Sequence, residues 1–143
     1  VTKLVVDASV AVKWFLKEQW SSKSLCLLDR AFDLCAPDHM IAEMGNVVWK
    51  YHQRGELTDL EAGIRAEHIS RVGIRLVPSV DLIEGAMRVA SEFSMALYDA
   101  LYVELAVSEG IQLVTTDDHM IRKLEGSRHR STIVHLRDLG RYA

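Results

Sequence analysis

Apolar positions along the chain change period several times, and each change marks an element. Leu4, Val5 and Val6 form an unbroken apolar run, the signature of a strand buried on both faces. That run predicts a first strand over Lys3 to Asp7, ending in an acid. Val10 and Trp14, then Ala11 and Phe15, recur at i,i+4. They predict a helix over Val10 to about Lys17, capped by Ser9, with Lys13 and Lys17 outside. A second helix is expected over Ser21 to about Phe32, with Leu25, Leu28 and Ala31 or Phe32 inward. Leu34 to Pro37 reads as a second strand, and Asp38 as the cap of the next helix. In that helix, about His39 to Arg54, Met40, Met44, Val47, Val48 and Tyr51 share one face. Glu43 falls roughly 90° from its middle, at about 100° per residue. Gly55 is a C′ stop.

The second half repeats the alternation. Thr58 and Glu61 make a capping-box pattern that opens a fourth helix running to about Val72. A strand over Ile74 to Val77 follows. Pro78 and Ser79 open a fifth helix, about Val80 to Phe93, with Leu82 or Ile83, Ala86, Met87 and Ala90 inward. Leu97 to Glu109 is apolar nearly all round and therefore a buried helix; Gly110 closes it. Ile111 to Thr115 reads as a fourth strand, Met120 to Leu124 as a short helix, and Thr132 to Leu136 as a last strand. Strands alternating with helices argue an α/β fold, a sandwich around a parallel sheet of about five strands.

Composition narrows the class. The 143 residues are one domain's length, and no linker divides them, so residues 1–143 read as a single domain. No apolar run approaches the roughly 20 residues of a membrane span, and the N-terminus leads straight into the first strand without a signal peptide. Cys26 and Cys35 match no metal-ligand spacing and give no disulfide framework, which fits a reducing, cytoplasmic setting. A formal charge of −3 gives no bulk attraction to nucleic acid, but leaves room for a basic rim around an acidic pocket. Lys13, Lys17, Lys50, Arg122, Lys123, Arg128, His129 and Arg130 are candidates for such a rim. No aromatic ladder for single-stranded bases is visible. His39, His119 and His129 match no zinc pattern and read as surface histidines.

Four acids occupy special places. Asp7 ends the first strand, Asp117 follows the fourth, Asp99 opens the buried helix, and Glu43 borders the apolar face of another. Parallel sheets collect ligands just outside the carboxyl ends of their strands. Four gathered carboxylates would repel one another, and a hard divalent cation relieves that repulsion. Mg²⁺ and Mn²⁺ prefer such oxygen ligands, and one or two of them can activate a water and stabilise the leaving oxygen of a phosphodiester. Taken singly, the acids have plainer readings: Asp7 and Asp117 as helix caps, Asp99 as a partner of its helix dipole, Glu43 as a solvated helix residue.

VVDASVAVKWFLKE, Glu43 with Asn46, YDALYVELA and VTTD, in that order, resemble the PIN domain, and more closely the VapC-type toxins of prokaryotic toxin–antitoxin pairs. The resemblance spans essentially the whole chain. It implies an α/β/α sandwich with a central parallel sheet and a metal-dependent endoribonuclease that hydrolyses RNA without a covalent intermediate. It also implies Mg²⁺ or Mn²⁺ as cofactor, a small VapB-like antitoxin that covers the active site, and a homodimer. The acids correspond residue by residue to Asp7, Glu43, Asp99 and Asp117, all present. Asp7 and Asp99 would be the direct ligands, with Glu43 and Asp117 acting through water or on a second ion. Ser9, Thr115 and Asn46 take supporting places, and Asp118 adds a neighbouring acid that competes with Asp117.

Two other functions compete. A haloacid-dehalogenase-like phosphatase would use Asp7 as a nucleophile, but such enzymes place a second acid two residues on, where this chain has Ser9. A non-catalytic scaffold binding RNA or protein is the other, although scaffolds of this kind tend to lose acids that this chain keeps.

Overall fold

The computed structural model describes residues 1–141. Five parallel strands lie in the order β3-β2-β1-β4-β5: β1 Thr2–Val6, β2 Phe32–Pro37, β3 Arg75–Val77, β4 Gln112–Thr115 and β5 Ile133–His135. Seven helices connect and cover them: α1 Ala8–Ala11, α2 Ser21–Leu25, α3 Met40–Gln53, α4 Asp59–Ser70, α5 Ile83–Phe93, α6 Leu97–Glu109 and α7 Asp118–Lys123.

The central strand is β1. It pairs with β2 (Leu4 opposite Leu34) and with β4 (Val6 opposite Val114), so both its edges and both its faces are filled. Leu4, Val5 and Val6 are almost wholly buried, as the unbroken apolar run requires. Helix α6 crosses β1, β2 and β4. Its Ala100, Leu101, Tyr102, Val103, Leu105 and Ala106 are all buried, which is why no polar face interrupts it. Gly110 ends it at φ +68°, a conformation costly to a residue with a Cβ. Gly55 does the same after α3 at φ +77°. The Thr58–Glu61 capping box forms with both reciprocal hydrogen bonds, at 3.1 and 3.0 Å.

Five expectations are corrected. Ser9 does not cap the first helix. Asp7 does, accepting the Val10 N–H at 3.2 Å, and the helix gives way to a 3₁₀ turn at Val12. Lys13, expected outside, is buried and pairs with Glu18 at 3.2 Å. The second helix stops at Leu25 and a 3₁₀ turn over Cys26–Leu28, because the Asp29 side chain accepts the Ala31 N–H at 2.8 Å and turns the chain into β2. Its buried stripe is Ser24 and Leu27 rather than Leu25 and Leu28; Ser24 is tolerated there because its hydroxyl donates to the Val10 carbonyl at 2.7 Å. Asp38 caps no helix; its carboxylate accepts the Ser79 N–H at 3.1 Å and ties the end of β2 to the segment after β3. In α5 the inward positions are Gly85, Ala86 and Val89, while Met87 is exposed.

Candidate active site

Strands β1 and β4 are sheet neighbours, so the residues that follow them meet at one end of the sheet. Asp7 comes directly after β1, with 3% of its surface exposed. Burying a carboxylate without a cation is costly, and three donors offset part of that cost. The Ser9 hydroxyl donates to Oδ1 at 2.6 Å, the Val10 N–H donates to the same oxygen, and the Thr115 hydroxyl donates to Oδ2 at 2.5 Å.

Both hydroxyls also accept. Ser9 Oγ takes the Thr116 N–H at 3.1 Å, and Thr115 Oγ1 takes the Asp117 N–H at 2.9 Å. Two relays result, each running from a backbone N–H after β4, through a hydroxyl, to one oxygen of Asp7. The D-A-S and T-T-D sequences are thus two halves of one hydrogen-bonded unit. Burial still dominates the carboxyl: it pushes the pKa of Asp7 up to about 6, against the lowering by these donors, and the charge of Asp117 adds to the rise.

Asp117 is half-buried and caps α7, with Oδ1 accepting the N–H groups of His119 (2.9 Å) and Met120 (3.3 Å). Its neighbour Asp118 is exposed and paired with Arg137 at 3.3 Å, so its charge is already engaged away from the cluster.

The other two acids stand on helices. Asp99 lies in the first turn of α6, half-buried, and among the described residues its carboxylate receives no hydrogen bond. Burial raises its pKa, as do the charges of Asp117 and Glu43; His119 and His39 oppose the rise. Glu43 lies in the first turn of α3. It accepts the Tyr102 hydroxyl at 2.6 Å, and His39 Nε2 stands 3.2 Å from the same oxygen. Tyr102 is 1% exposed. Burial, then the charges of Glu43 and Asp7, hold its phenol firmly protonated and hence a permanent donor. The mutual charge effects link Asp7 to Asp117, Asp117 to Asp99, and Asp99 to Glu43.

Two contributors were hidden in the sequence. Tyr102 looked like one more apolar residue of a buried helix; its position three after Asp99, hence on the same helical face, was the available signal. His39 is not a surface histidine. Its side chain is 14% exposed, its ring lies 4.7 Å from that of Tyr102 at a tilt of 51°, and its Nε2 lies 3.0 Å from the Tyr98 carbonyl. Asn46 is exposed one turn beyond Glu43 and makes no contact with the other acids' hydrogen-bond network. Of the expected basic rim, Arg128 and Arg130 are engaged by Glu92 and Glu125.

The donor set suits a hard divalent cation: four carboxylates come from four elements, the neighbouring acids add to the raised pKa of Asp7 and of Asp99, and among the described residues no lysine or arginine donates to any of the four. Among the described residues no three His, Cys, Asp or Glu side chains stand close enough to grasp an ion as they are. A cation would draw the carboxylates inward, and Asp99, with no hydrogen bond to break, is the one most free to move.

A parallel-sheet α/β fold with Asp7 and Asp117 just beyond the carboxyl ends of two neighbouring central strands defines the class. Within that class, the family model described as PIN domain matches residues 4–126, and the chain belongs to the PIN domain family. It is 29% identical over 123 residues to "Ribonuclease VapC3" of Pyrobaculum aerophilum, covering 85% of this chain and 94% of that protein. In structure it is similar to PAE2754 of the same organism, with a TM-score of 0.67 at 24% identity, covering 96% of this chain and 93% of the other. It is also similar to a chain of a toxin–antitoxin complex from Klebsiella pneumoniae, with a TM-score of 0.64 at 15% identity, covering 93% and 97%.

Proposed function

We propose that this chain is a divalent-metal-dependent endoribonuclease, the toxin of a VapBC-type toxin–antitoxin pair. What supports the reading is that charge effects connect the four acids in turn, Asp7 with Asp117, Asp117 with Asp99 and Asp99 with Glu43, and that Asp7 and Asp117 follow neighbouring strands of the parallel sheet, where such folds collect ligands. The naming of its 29%-identical relative as a ribonuclease supports the activity, and a toxin–antitoxin complex among its structural neighbours supports a small antitoxin partner. A homodimer acting in the cytoplasm on cellular RNA completes the reading; no helix among the described residues is long and apolar enough to cross a membrane.

Asp7 and Asp99 would hold the cation, with Glu43 and Asp117 around it. Bound there, Mg²⁺ or Mn²⁺ supplies charge neutralisation on the phosphate and makes a water acidic enough to attack at neutral pH. The chain's own residues do the rest. Ser9 and Thr115 fix the plane of the Asp7 carboxylate, so its orientation does not depend on the ion. Tyr102 and His39 meet one oxygen of Glu43 and fix its carboxylate. The second oxygen of Asp117, free of its capping duty, faces no hydrogen-bond donor among the described residues and can accept from a water or ribose hydroxyl.

The test is cleavage of a pool of structured RNAs by the wild type, Asp7→Asn and Asp99→Asn, in Mg²⁺, in Mn²⁺ and in EDTA. Cleavage should require metal and vanish in both variants. Cleavage that survives EDTA, or survives both substitutions, would sink the four-acid reading. A wild type that neither binds the ion nor cuts would favour a scaffold.

A further inference from the structure

Beside the acid cluster, a cleft of about 520 Å³ opens between α1, α3 and the start of α6. Ser9, His39, Glu43, Asn46, Lys50 and Tyr98 supply its polar and aromatic lining, and Ala8, Ala42 and Val47 complete it with apolar surface. The Tyr98 ring is 64% exposed, although it belongs to a large aromatic residue directly before Asp99. Behind it the His39 ring lies 5.7 Å away, tilted by 34°, and Tyr102 lies 4.7 Å behind His39. Three rings therefore run in succession from the buried side of the acid cluster to solvent. The sequence concealed this platform because the rings come from two helices, at positions 39, 98 and 102.

Glu43, Asn46 and Lys50 lie on one face of α3, at i, i+3 and i+7. Among the described residues the Asn46 amide makes no hydrogen bond, and Lys50 has no acidic partner, whereas Lys13, Arg75, Arg128, Arg130 and Arg137 each have one. The walls thus offer an aromatic face, an amide with both donors and acceptors, and a free ammonium group, all adjoining the carboxylates. Those are complements of a base plane, a base edge and a phosphate.

We propose that this cleft is a nucleobase subsite that holds the nucleotide adjoining the scissile phosphate and sets base preference at the cut. Tyr98 stacks on the base, Asn46 hydrogen-bonds its edge, and Lys50 takes a neighbouring phosphate. The proposal rests on the ribonuclease reading. A protein segment is the competing occupant, and Ala8, Ala42 and Val47 would suit it; the exposed Tyr98 side chain beside an unpartnered amide and ammonium favours a nucleotide.

Two measurements test it. Cut sites in an RNA pool are sequenced for the wild type, Tyr98→Ala, Tyr98→Phe and Asn46→Ala. In parallel, single-stranded RNA hexamers carrying 2-aminopurine are titrated, with Mn²⁺ present, against protein bearing Asp7→Asn, with and without those changes and Lys50→Gln. Stacking on Tyr98 should quench the fluorescent base. Tyr98→Ala should abolish the quench, weaken binding roughly ten-fold and flatten the base preference beside the cut. Tyr98→Phe should keep all three, and Asn46→Ala should broaden preference while the quench persists. Lys50→Gln should lower the slope of log affinity against log salt by about one. Because Tyr98 is exposed, its loss leaves folding intact. If Tyr98→Ala matches the wild type in quench, affinity and cut sites while RNA is still cleaved, the subsite is overturned and the ribonuclease reading stands. If Tyr98→Ala leaves RNA untouched and only loosens a protein inhibitor, the cleft is a protein-docking surface and the proposal is overturned. If the unsubstituted protein neither binds nor cuts RNA, both readings fall.

Discussion

Asp7 and Asp117 stand at strand ends, held by backbone N–H groups and two relaying hydroxyls, whereas Glu43 and Asp99 stand on helices, one held by side chains alone and the other, among the described residues, by no side-chain hydrogen bond. The strand half gets its geometry from the sheet register: once Val6 pairs with Val114, Asp7 must face Thr115. The helix half depends on how α3 and α6 pack, with Tyr102 and His39 converting that packing into a fixed Glu43. On the proposed reading, two degrees of constraint within one cluster would let the site hold an ion firmly on one side and close around it on the other.

Removing charge from the constrained half should have the largest effect. Asp7→Asn is expected to lower RNA cleavage by at least roughly a thousand-fold, read as kcat/KM, because it deletes charge where the cation would sit. Thr115→Val comes next. It leaves Asp7 Oδ2 without its donor and the Asp117 N–H without an acceptor at a buried position, for about 2–3 kcal/mol of stability. A melting temperature lower by roughly 6–12 °C is the expected reading.

Asp7→Asn should also act on stability, in the opposite direction. The carboxyl titrates at about 6 in the folded chain against 3.8 for the unconstrained group. Between those values the folded state binds the extra proton, so wild-type stability falls as pH rises through that window and stays low above it. The gap corresponds to about 3 kcal/mol. Without added metal, Asp7→Asn should therefore melt higher than the wild type at pH 7, by somewhat less than that figure because an amide cannot accept from both hydroxyls. The advantage should fade below pH 4, as thermal unfolding across pH will show. The smallest effect belongs to the helix half. Tyr102→Phe removes one hydrogen bond to Glu43, worth about 1 kcal/mol, and should reduce kcat roughly ten-fold while lowering the melting temperature by only about 3–4 °C. If Tyr102→Phe proves as damaging to stability as Thr115→Val, the contrast between the halves is wrong.

Much of the fold was legible because each element's period matched its burial. The run Leu4–Val6, the all-round apolar α6 and the Thr58–Glu61 box say what they form without tertiary context. Misreadings arose where a polar side chain had two possible partners. Ser9 fits a helix cap by position, yet its hydroxyl is taken by Asp7 and Thr116, partners brought close only by the sheet. Asp29 ended a helix that apolar spacing would have continued. Lys13 is buried because Glu18, which also accepts the Tyr51 hydroxyl, is folded back to meet it. Asp7, Asp99 and Asp117 drew attention by their places at element ends and Glu43 by its place at the border of an apolar face; Tyr102 did not, because a tyrosine inside an apolar helix has the same spacing whether its hydroxyl is idle or bound to a glutamate.

The central claim is tested most directly by the RNA cleavage rate of the wild type and of Asp99→Asn as Mn²⁺ is raised from zero in chelated buffer. A four-carboxylate metal centre predicts no cleavage without the ion and a saturable rise for the wild type, with Asp99→Asn needing far more Mn²⁺ and reaching a lower plateau. Cleavage in the absence of the ion, or superimposable curves for the two proteins, would contradict it.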